Sequence, residues 1–162
     1  MNKIISLNNA IKISRKLKEN GKTIVLTGGC FDILHVGHIK LLEKSKKLGD
    51  ILFVLVENDK TVSKLKGKGR PINPQSDRAK ILSAISYIDY VVLLPEMSSN
   101  NDYDLLMQSL KPNTITNTIG DSQAIHNKRQ AKLINAKAVS VTTRIKNKST
   151  TNLAHIISKN FK

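Results

Sequence analysis

The stretch GGCFDILHVGH, residues 28–38, carries two histidines three positions apart, His35 and His38. An imidazole can bind a metal ion, cap a helix or donate a hydrogen bond to a phosphate oxygen. A zinc site needs three or four ligands, and the remaining histidines, His126 and His155, fall in stretches that predict helices. The metal interpretation therefore lacks partners, whereas a capping or core role and a phosphate-binding role both stay open.

Glycines in the same stretch favour close approach of a ligand to the backbone. Gly28 and Gly29 end an apolar run, and Gly37 precedes His38, which begins a predicted helix. Helix N-termini attract anions, and imidazoles beside one can donate to phosphate oxygens. The chain has neither GxxxxGK[ST] nor GxGxxG after the strand, so neither of those phosphate-binding loops explains the pattern.

Composition indicates one soluble domain covering residues 1–162, since this length suits a single core. No stretch approaches the roughly 18 apolar residues of a membrane span. The N-terminus lacks the pattern of a signal peptide, so we expect a cytoplasmic protein. The one cysteine, Cys30, cannot form an internal disulfide, which agrees with a reducing compartment.

The formal net charge of +15 favours polyanionic partners such as nucleotides and sugar phosphates. Aromatic residues make up only 4% of the chain, tryptophan is absent, and lysines are spread along the whole length. Nucleic-acid binders usually add stacking aromatics or a clustered basic face. We therefore do not expect nucleic acid as a partner, and much of the excess charge is explained by a lysine-rich surface.

Apolar runs alternate with amphipathic stretches, which predicts an α/β fold with a single doubly wound, mainly parallel sheet of about five strands and helices on both faces. The strands are predicted within 23–29, 50–58, 89–96, 113–120 and 137–143. Helices are predicted within 10–20, 38–49, 75–88 (with Ser76 as N-cap), 101–112, 122–136 and 149–160. The segment KLKGKGRPINP, residues 64–74, predicts a mobile basic loop.

In such sheets ligands bind outside the carboxyl ends of the strands. The histidine motif, the basic loop, the GDS that starts at Gly120 and the TRIKNKSTT that ends at Thr151 each follow a predicted strand. We expect all four to meet at one edge.

Together these segments resemble a known family. GGCFDILHVGH is similar to the GxFDxxHxGH signature of the cytidylyltransferase-like nucleotidyltransferases, and the likeness continues through LKGKGRPINPQSDRAKILSAISYIDYVV and NKSTTNL, over about residues 22–157. Residues 64–92 most resemble the adenylyltransferases that make ADP-heptose from heptose 1-phosphate. Glycerol-3-phosphate cytidylyltransferases and FMN adenylyltransferases (FAD synthetases) are close relatives.

The resemblance implies roles for the residues of the motif. His35 and His38 match the histidines that contact the nucleotide phosphates and stabilise the transition state. Cys30, Phe31 and Gly37 match positions beside the triphosphate, although packing at a strand end explains the Cys30 and Phe31 side chains equally well. Asp32 matches the acid of the signature, which either helps to bind Mg²⁺ or only holds the loop.

More distant residues are implied as well. Lys66 matches a loop lysine that closes on phosphates, Lys64 is its neighbour on the substrate side, and Asp121 matches the acid that reads the nucleotide. Arg78 matches a substrate-binding arginine, for which an ion pair with Asp77 or a neighbouring helix is the alternative. Arg144, Ser149, Thr150 and Thr151 match the family's closing element, which binds the β- and γ-phosphates. The hydroxyls of the serine and the two threonines would also suit a simple N-cap.

The implied activity is nucleotidyl transfer from ATP or CTP to a phosphorylated small molecule with release of pyrophosphate, most readily ATP and D-glycero-D-manno-heptose 1-phosphate. Mg²⁺ would be held mainly by the nucleotide phosphates, and homodimers are common in the family. Two other classes stay open: a non-catalytic nucleotide-sensing domain and a basic nucleic-acid-binding protein.

The chain departs from the heptose enzymes at two places. They usually carry KGGD where this chain has TNTIGD, so Thr118 and Ile119 stand near positions of a lysine and a glycine. Asn147 replaces the glycine that normally precedes the closing serine by two positions. These differences affect the assignment of base and substrate, not that of the fold.

Overall fold

The computed structural model describes residues 2–143 and residue 145. Six strands form one parallel sheet in the order β1-β4-β3-β2-β5-β6. They are β1 Ile4–Ser6, β2 Ile24–Gly29, β3 Ile51–Val56, β4 Tyr90–Leu93, β5 Thr114–Ile119 and β6 Lys137–Thr143. The described part of the chain contains six helices: α1 Leu7–Glu19, α2 Val36–Lys46, α3 Asp59–Lys66, α4 Gln75–Ser83, α5 Asn100–Leu110 and α6 Ala124–Leu133.

This architecture confirms the predicted doubly wound α/β fold. The sheet has one strand more than predicted, because β1 is a three-residue edge strand that pairs only with β4. Five predicted strands and five predicted helices are present with small shifts at their ends. The predicted helix 149–160 lies outside the described residues.

Two predictions of local structure were wrong. Lys64 and Lys66 belong to α3 and not to a loop, because Asn58 caps a helix that runs to Gly67, whose φ is 92°. Ser76 is not an N-cap: α4 begins at Gln75 as predicted, but its N-cap is Pro74, which provides no side-chain cap, and the helix ends at Ser83 rather than near Ile88. Pro74 fits there because a proline needs no backbone donor at the start of a helix.

The sheet separates two apolar layers, as alternation along the strands requires. On β3, Phe53 and Leu55 pack beneath α1, α5 and α6, whereas Leu52, Val54 and Val56 pack against α2 and α4. Because β3 is covered on both faces, its sequence is apolar throughout.

The order of the strands defines the place where a ligand is expected. The chain moves from β2 outward through β3 and β4, and then returns to lay β5 on the other side of β2. The connections that leave β2 and β5 therefore diverge, and a doubly wound sheet is expected to bind its ligand in the crevice between them, at the carboxyl ends of these two strands.

A buried group of hydroxyls holds α2 against this crevice. Ser45 Oγ of α2 lies 2.7 Å from Thr116 Oγ1 of β5, and the Thr116 hydroxyl donates to the Leu26 carbonyl of β2 at 3.3 Å. Ser45 and Thr116 are buried. The contact fixes the last turn of α2 relative to the two strands that flank the crevice.

We predict that Thr116→Val lowers the free energy of unfolding by about 1–2 kcal/mol, since it leaves the buried Ser45 hydroxyl without this partner. Urea denaturation measures the change. The control is Thr114→Val on the same strand, whose hydroxyl has no hydrogen-bond partner within the described residues. Adding Ser45→Ala to Thr116→Val should recover most of the loss. Equal losses for the two valine variants would contradict this role.

Candidate active site

The two histidines of the motif cap the start of α2. His35 is the N-cap, and its Nδ1 accepts a hydrogen bond from the Gly37 N–H at 3.1 Å. His38 Nδ1 accepts from the backbone N–H of His35 at 3.4 Å, which completes a reciprocal capping box. The two rings stack with centroids 3.9 Å apart. The capping role is therefore confirmed, and it places both imidazoles at the N-terminus of a helix.

These hydrogen bonds also fix the tautomer of each ring. A neutral imidazole has one nitrogen that accepts and one that donates. Because Nδ1 accepts in both histidines, the proton of each ring resides on Nε2. The capped helix thus presents two Nε2–H donors that are not used in the capping box.

Burial keeps the imidazoles neutral at pH 7. Desolvation lowers the pKa of His35 below its ordinary value. For His38, burial and then the nearby charge of His35 lower the pKa to about 4. Phe31 contributes to this burial, since its ring packs in the apolar layer beneath α2 and lies 5.3 Å from the His38 ring.

Gly37 is required by the position of the His35 ring. A Cβ on Gly37 would lie 2.9 Å from His35 Cε1 and Nδ1, closer than real contacts allow. The same Cβ would lie 4.0 Å from Ile145 Cδ1, so the chain that follows β6 reaches the start of α2. The closing element predicted from Arg144 onward adjoins Ile145 in sequence.

The acid of the motif holds a loop. Asp32 is 2% exposed, and its carboxylate accepts from Arg70 Nε at 2.5 Å and from the backbone N–H groups of Ile72 and Asn73 at 2.8–3.0 Å. Burial alone would raise the pKa of this carboxyl, but these donors outweigh burial, and the pKa lies below its ordinary value. Of the two interpretations left open for Asp32, the geometry favours loop anchoring, because both oxygens are already engaged.

Arg78 has a different role from the predicted substrate contact. It is 1% exposed, and its guanidinium donates to the carbonyls of Cys30, Glu57 and Asn73 and to the carboxylate of Asp59. The ion pair is with Asp59 at the start of α3, at 2.6 Å, rather than with Asp77. Arg78 therefore ties together the ends of β2 and β3 and the start of α3 from within the protein.

The two lysines of α3 differ in their surroundings. Lys64 is exposed and pairs with Glu96 at 2.8 Å. Lys66 is also exposed, and its positive charge is close enough to Cys30 to oppose the rise in the pKa of that thiol, which burial causes. The charge of Lys66 therefore acts on Cys30 after β2, whereas the described partner of Lys64 is Glu96.

Asp121 lies just beyond β5, at the other side of the crevice. Its Oδ1 accepts from the backbone N–H of Gln123 at 2.9 Å in the turn before α6. Gly120 provides the positive φ of 79° that this turn needs. β5 and β6 shift register between Asn117 and Thr118, so the unusual TNTIGD sequence coincides with a bulge.

The remaining predicted site residues lie outside the described residues; they are Arg144, Ser149, Thr150 and Thr151. Among the described residues, no group of three or more His, Cys, Asp or Glu side chains could hold a metal ion. No helix in the described part of the chain is long and apolar enough to cross a membrane.

Sequence reasoning missed one pair of residues at this edge. Glu57 follows β3, and both oxygens of its carboxylate lie 3.0 Å from the Tyr103 hydroxyl of α5. The only local signal was an acidic residue directly after a buried strand.

We predict that long-range ¹H–¹⁵N spectra at pH 7 show His35 and His38 as Nε2–H tautomers, with His38 titrating near pH 4. Folding lowers the pKa of His38 from 6.5 to about 4, so neutral His38 contributes fully to the free energy of unfolding above pH 6.5. This contribution is lost as the pH falls toward 4. The loss is on the order of 3 kcal/mol. A His38 midpoint at 6.5 or above would contradict the geometry.

We predict that Gly37→Ala displaces the His35 ring and removes the hydrogen bond at its Nδ1, which the same spectra would report as a shifted Nδ1 resonance. Thermal stability should change little, because a gain of about 1 kcal/mol in helix propensity offsets the lost cap. The control is Gly28→Ala, where the new Cβ would lie an ordinary 3.6 Å from Leu55 Cβ. An unchanged His35 resonance in Gly37→Ala would show that the methyl group is tolerated.

The chain is similar to several curated proteins. It is 46% identical over 113 residues to the bifunctional protein HldE of Campylobacter fetus subsp. fetus, covering 70% of this chain and 23% of the relative. It is 50% identical over 103 residues to the bifunctional protein HldE of Nitratiruptor sp., covering 64% of this chain and 21% of the relative. The chain thus spans about a fifth of the length of these relatives.

Two solved structures share the fold. One is the lipopolysaccharide core biosynthesis protein from Thermoplasma volcanium, with a TM-score of 0.60 and 30% identity over 77% of this chain and 98% of that one. The other is a pantoate-beta-alanine ligase from Francisella tularensis, with a TM-score of 0.64 and 18% identity over 96% of this chain and 76% of that one, which is a likeness of fold alone.

A family model described as cytidylyltransferase-like matches residues 26–153, which include the strand, the capped helix and the crevice described above. The resemblance noted from the sequence is therefore confirmed, and the chain belongs to the cytidylyltransferase-like family.

Proposed function

We propose that this chain is a nucleotidyltransferase that joins AMP from ATP to D-glycero-D-manno-heptose 1-phosphate, giving ADP-heptose and pyrophosphate. The observation that carries the reaction class is the pair of neutral, stacked imidazoles at the start of α2, beside the crevice where a doubly wound sheet binds nucleotides. The choice of substrate is supported by the likeness of residues 64–92 to the heptose enzymes and by the similarity to the HldE proteins.

The chemistry needs positioning rather than a strong base. A phosphate oxygen of the sugar phosphate attacks the α-phosphorus of ATP, a new P–O bond forms, and the bond from the α-phosphorus to the bridging oxygen breaks as pyrophosphate leaves. The attacking phosphate is already an anion, so no proton has to be removed first. The barrier is lowered by holding the two phosphates in line and by stabilising the charge that develops.

His35 and His38 supply that stabilisation through their Nε2–H groups. In this proposal they donate to oxygens of the α-phosphate and of the leaving pyrophosphate, and the positive end of the α2 dipole acts on the same charges. In this proposal Lys66, whose charge acts on Cys30 just after β2, neutralises phosphate charge. Arg144 and the hydroxyls of Ser149, Thr150 and Thr151 are proposed to hold the β- and γ-phosphates from the segment that follows Ile145.

Mg²⁺ is proposed to be held mainly by the phosphates of the nucleotide. Asp32 is the acid nearest the histidines in sequence, but its carboxylate is engaged by Arg70 and by two backbone N–H groups. Mg²⁺ commonly takes phosphate oxygens and water as ligands and needs few protein carboxylates. When bound, it would neutralise triphosphate charge.

We predict that His38→Ala lowers turnover about a hundredfold or more, because it removes a donor to the developing charge. The measurement is coupled pyrophosphate release with ATP, CTP and GTP, each paired with heptose 1-phosphate, glycerol 3-phosphate and FMN. The wild-type rate should be highest with ATP and heptose 1-phosphate. Lys40→Ala is the matched control, since Lys40 is an exposed residue of the same helix.

Several results would contradict the proposal. If His38→Ala released pyrophosphate at the wild-type rate with every pair of nucleotide and acceptor, the proposed role of His38 in the mechanism would be wrong. If the wild type reacted faster with CTP and glycerol 3-phosphate, or with ATP and FMN, than with ATP and heptose 1-phosphate, the proposed substrates would be wrong. Binding of triphosphate without turnover would favour a nucleotide sensor, and strongly salt-dependent affinity for DNA or RNA without turnover would favour a nucleic-acid binder.

A further inference from the structure

A carboxylate with an unusual environment lies at the edge that carries the histidines. Glu57 directly follows β3, and its backbone N–H donates to the Gly29 carbonyl of β2 at 3.2 Å, so it adjoins the start of the histidine motif. Its side chain is mostly buried, and burial raises the pKa of the carboxyl. No basic side chain of the described residues forms an ion pair with it, although the chain carries 27 lysines and arginines.

The one side chain among the described residues that donates to this carboxylate is a neutral phenol. The Tyr103 hydroxyl lies 3.0 Å from both carboxylate oxygens, and the burial of Tyr103, together with the charge of Glu57, raises the pKa of the phenol. A carboxylate has about four acceptor positions, and a single O–H fills only part of this capacity. Because Glu57 is mostly but not fully buried, the remaining acceptor positions are open to solvent and can take the hydroxyl groups of a ligand.

The backbone fixes the direction in which this pair faces. Residues alternate along β3, so Glu57 falls on the side of Leu55 and Phe53, toward α5, where Tyr103 packs against the same apolar layer. The histidines lie on the opposite side of the β2 end, on α2, against the layer that contains Phe31 and Val56. Cys30 follows Gly29 and precedes Phe31 in the chain, and the charges of Lys66 and Glu57 both act on the pKa of its thiol, in opposite directions.

This arrangement matches the demands of an in-line displacement. If His35 and His38 hold the side of the α-phosphorus from which pyrophosphate leaves, the attacking phosphate must enter from the other side. Glu57 and Tyr103 lie on the opposite face of the sheet from the histidines, which is where this pose would put the attacking phosphate. A carboxylate there repels a phosphate but accepts hydrogen bonds from hydroxyl groups, so it suits the polyol part of a phosphorylated sugar.

We infer that Glu57, held by Tyr103, binds the hydroxyl groups of the sugar phosphate and selects a polyhydroxylated acceptor. This inference rests on the proposed function, because it names the part of the same site that reads the second substrate.

The test measures binding separately from turnover. Dissociation constants for heptose 1-phosphate and for inorganic phosphate are determined by calorimetry on the full chain in the presence of a non-hydrolysable ATP analogue. Glu57→Gln keeps the shape of the side chain but removes its charge, and we expect it to weaken heptose 1-phosphate about tenfold, while inorganic phosphate binds as tightly as before or more tightly and the ATP analogue is unaffected. Tyr103→Phe should weaken heptose 1-phosphate in the same direction by a smaller factor.

The control is Asp104→Asn, next to Tyr103 on α5, whose carboxylate pairs with Arg129 on the surface. It should bind all three ligands as the wild type does. Unchanged heptose 1-phosphate affinity in Glu57→Gln would overturn the inference, and so would an equal loss for all three ligands, which indicates a merely structural role. A wild type that binds neither phosphate would overturn it as well. A wild type that binds heptose 1-phosphate in this selective way but releases no pyrophosphate would overturn the proposed function alone.

Discussion

The guanidinium of Arg78 holds the carboxyl edge of the sheet together. From a position 1% exposed it donates to the Cys30 carbonyl after β2, the Glu57 carbonyl after β3, the Asn73 carbonyl and the Asp59 carboxylate. Each acceptor belongs to a segment that contributes to the candidate site. A buried cation is stable only when its donors are matched, so the four segments must keep their relative positions for the protein to remain folded. The ends of β2 and β3, from which the Cys30 and Glu57 side chains project, are therefore coupled to the stability of the whole domain.

The sequence allowed the layered fold to be predicted because the central strands are buried on both faces and are apolar throughout. β1 was not predicted, since a strand of three residues that pairs only with β4 shows almost no alternation of apolar and polar residues. α3 was not predicted, because Gly67 and Gly69 indicate a loop. Asn58 nevertheless caps a regular helix that ends just before these glycines. The roles of His35, His38 and Gly37 were partly predictable because capping is local in sequence. Those of Arg78 and Glu57 were not, since all their partners except Asn73, five residues before Arg78, lie 19 to 48 residues away.

The histidine pair joins structure and chemistry in one set of hydrogen bonds. The nitrogens that cap α2 leave the opposite nitrogens to donate, so the fold itself specifies which atoms face a ligand. Both caps require an unprotonated Nδ1, and two charged rings stacked at 3.9 Å would repel each other. Under the proposed function, these histidines therefore act by donating hydrogen bonds in a fixed direction, and they lack the stronger but less directional attraction of a cation.

This division of labour limits which side chains could replace either histidine during evolution. Lysine and arginine bring more positive charge, but they have no acceptor for the backbone N–H and would leave the start of α2 uncapped. Aspartate caps well but repels a phosphate. Asparagine combines the two abilities, because its carbonyl oxygen can accept from the backbone while its amide group donates outward. Few side chains are thus expected to replace the histidines at positions 35 and 38. A replacement has to cap the helix and, under the proposed function, also donate a hydrogen bond to the substrate.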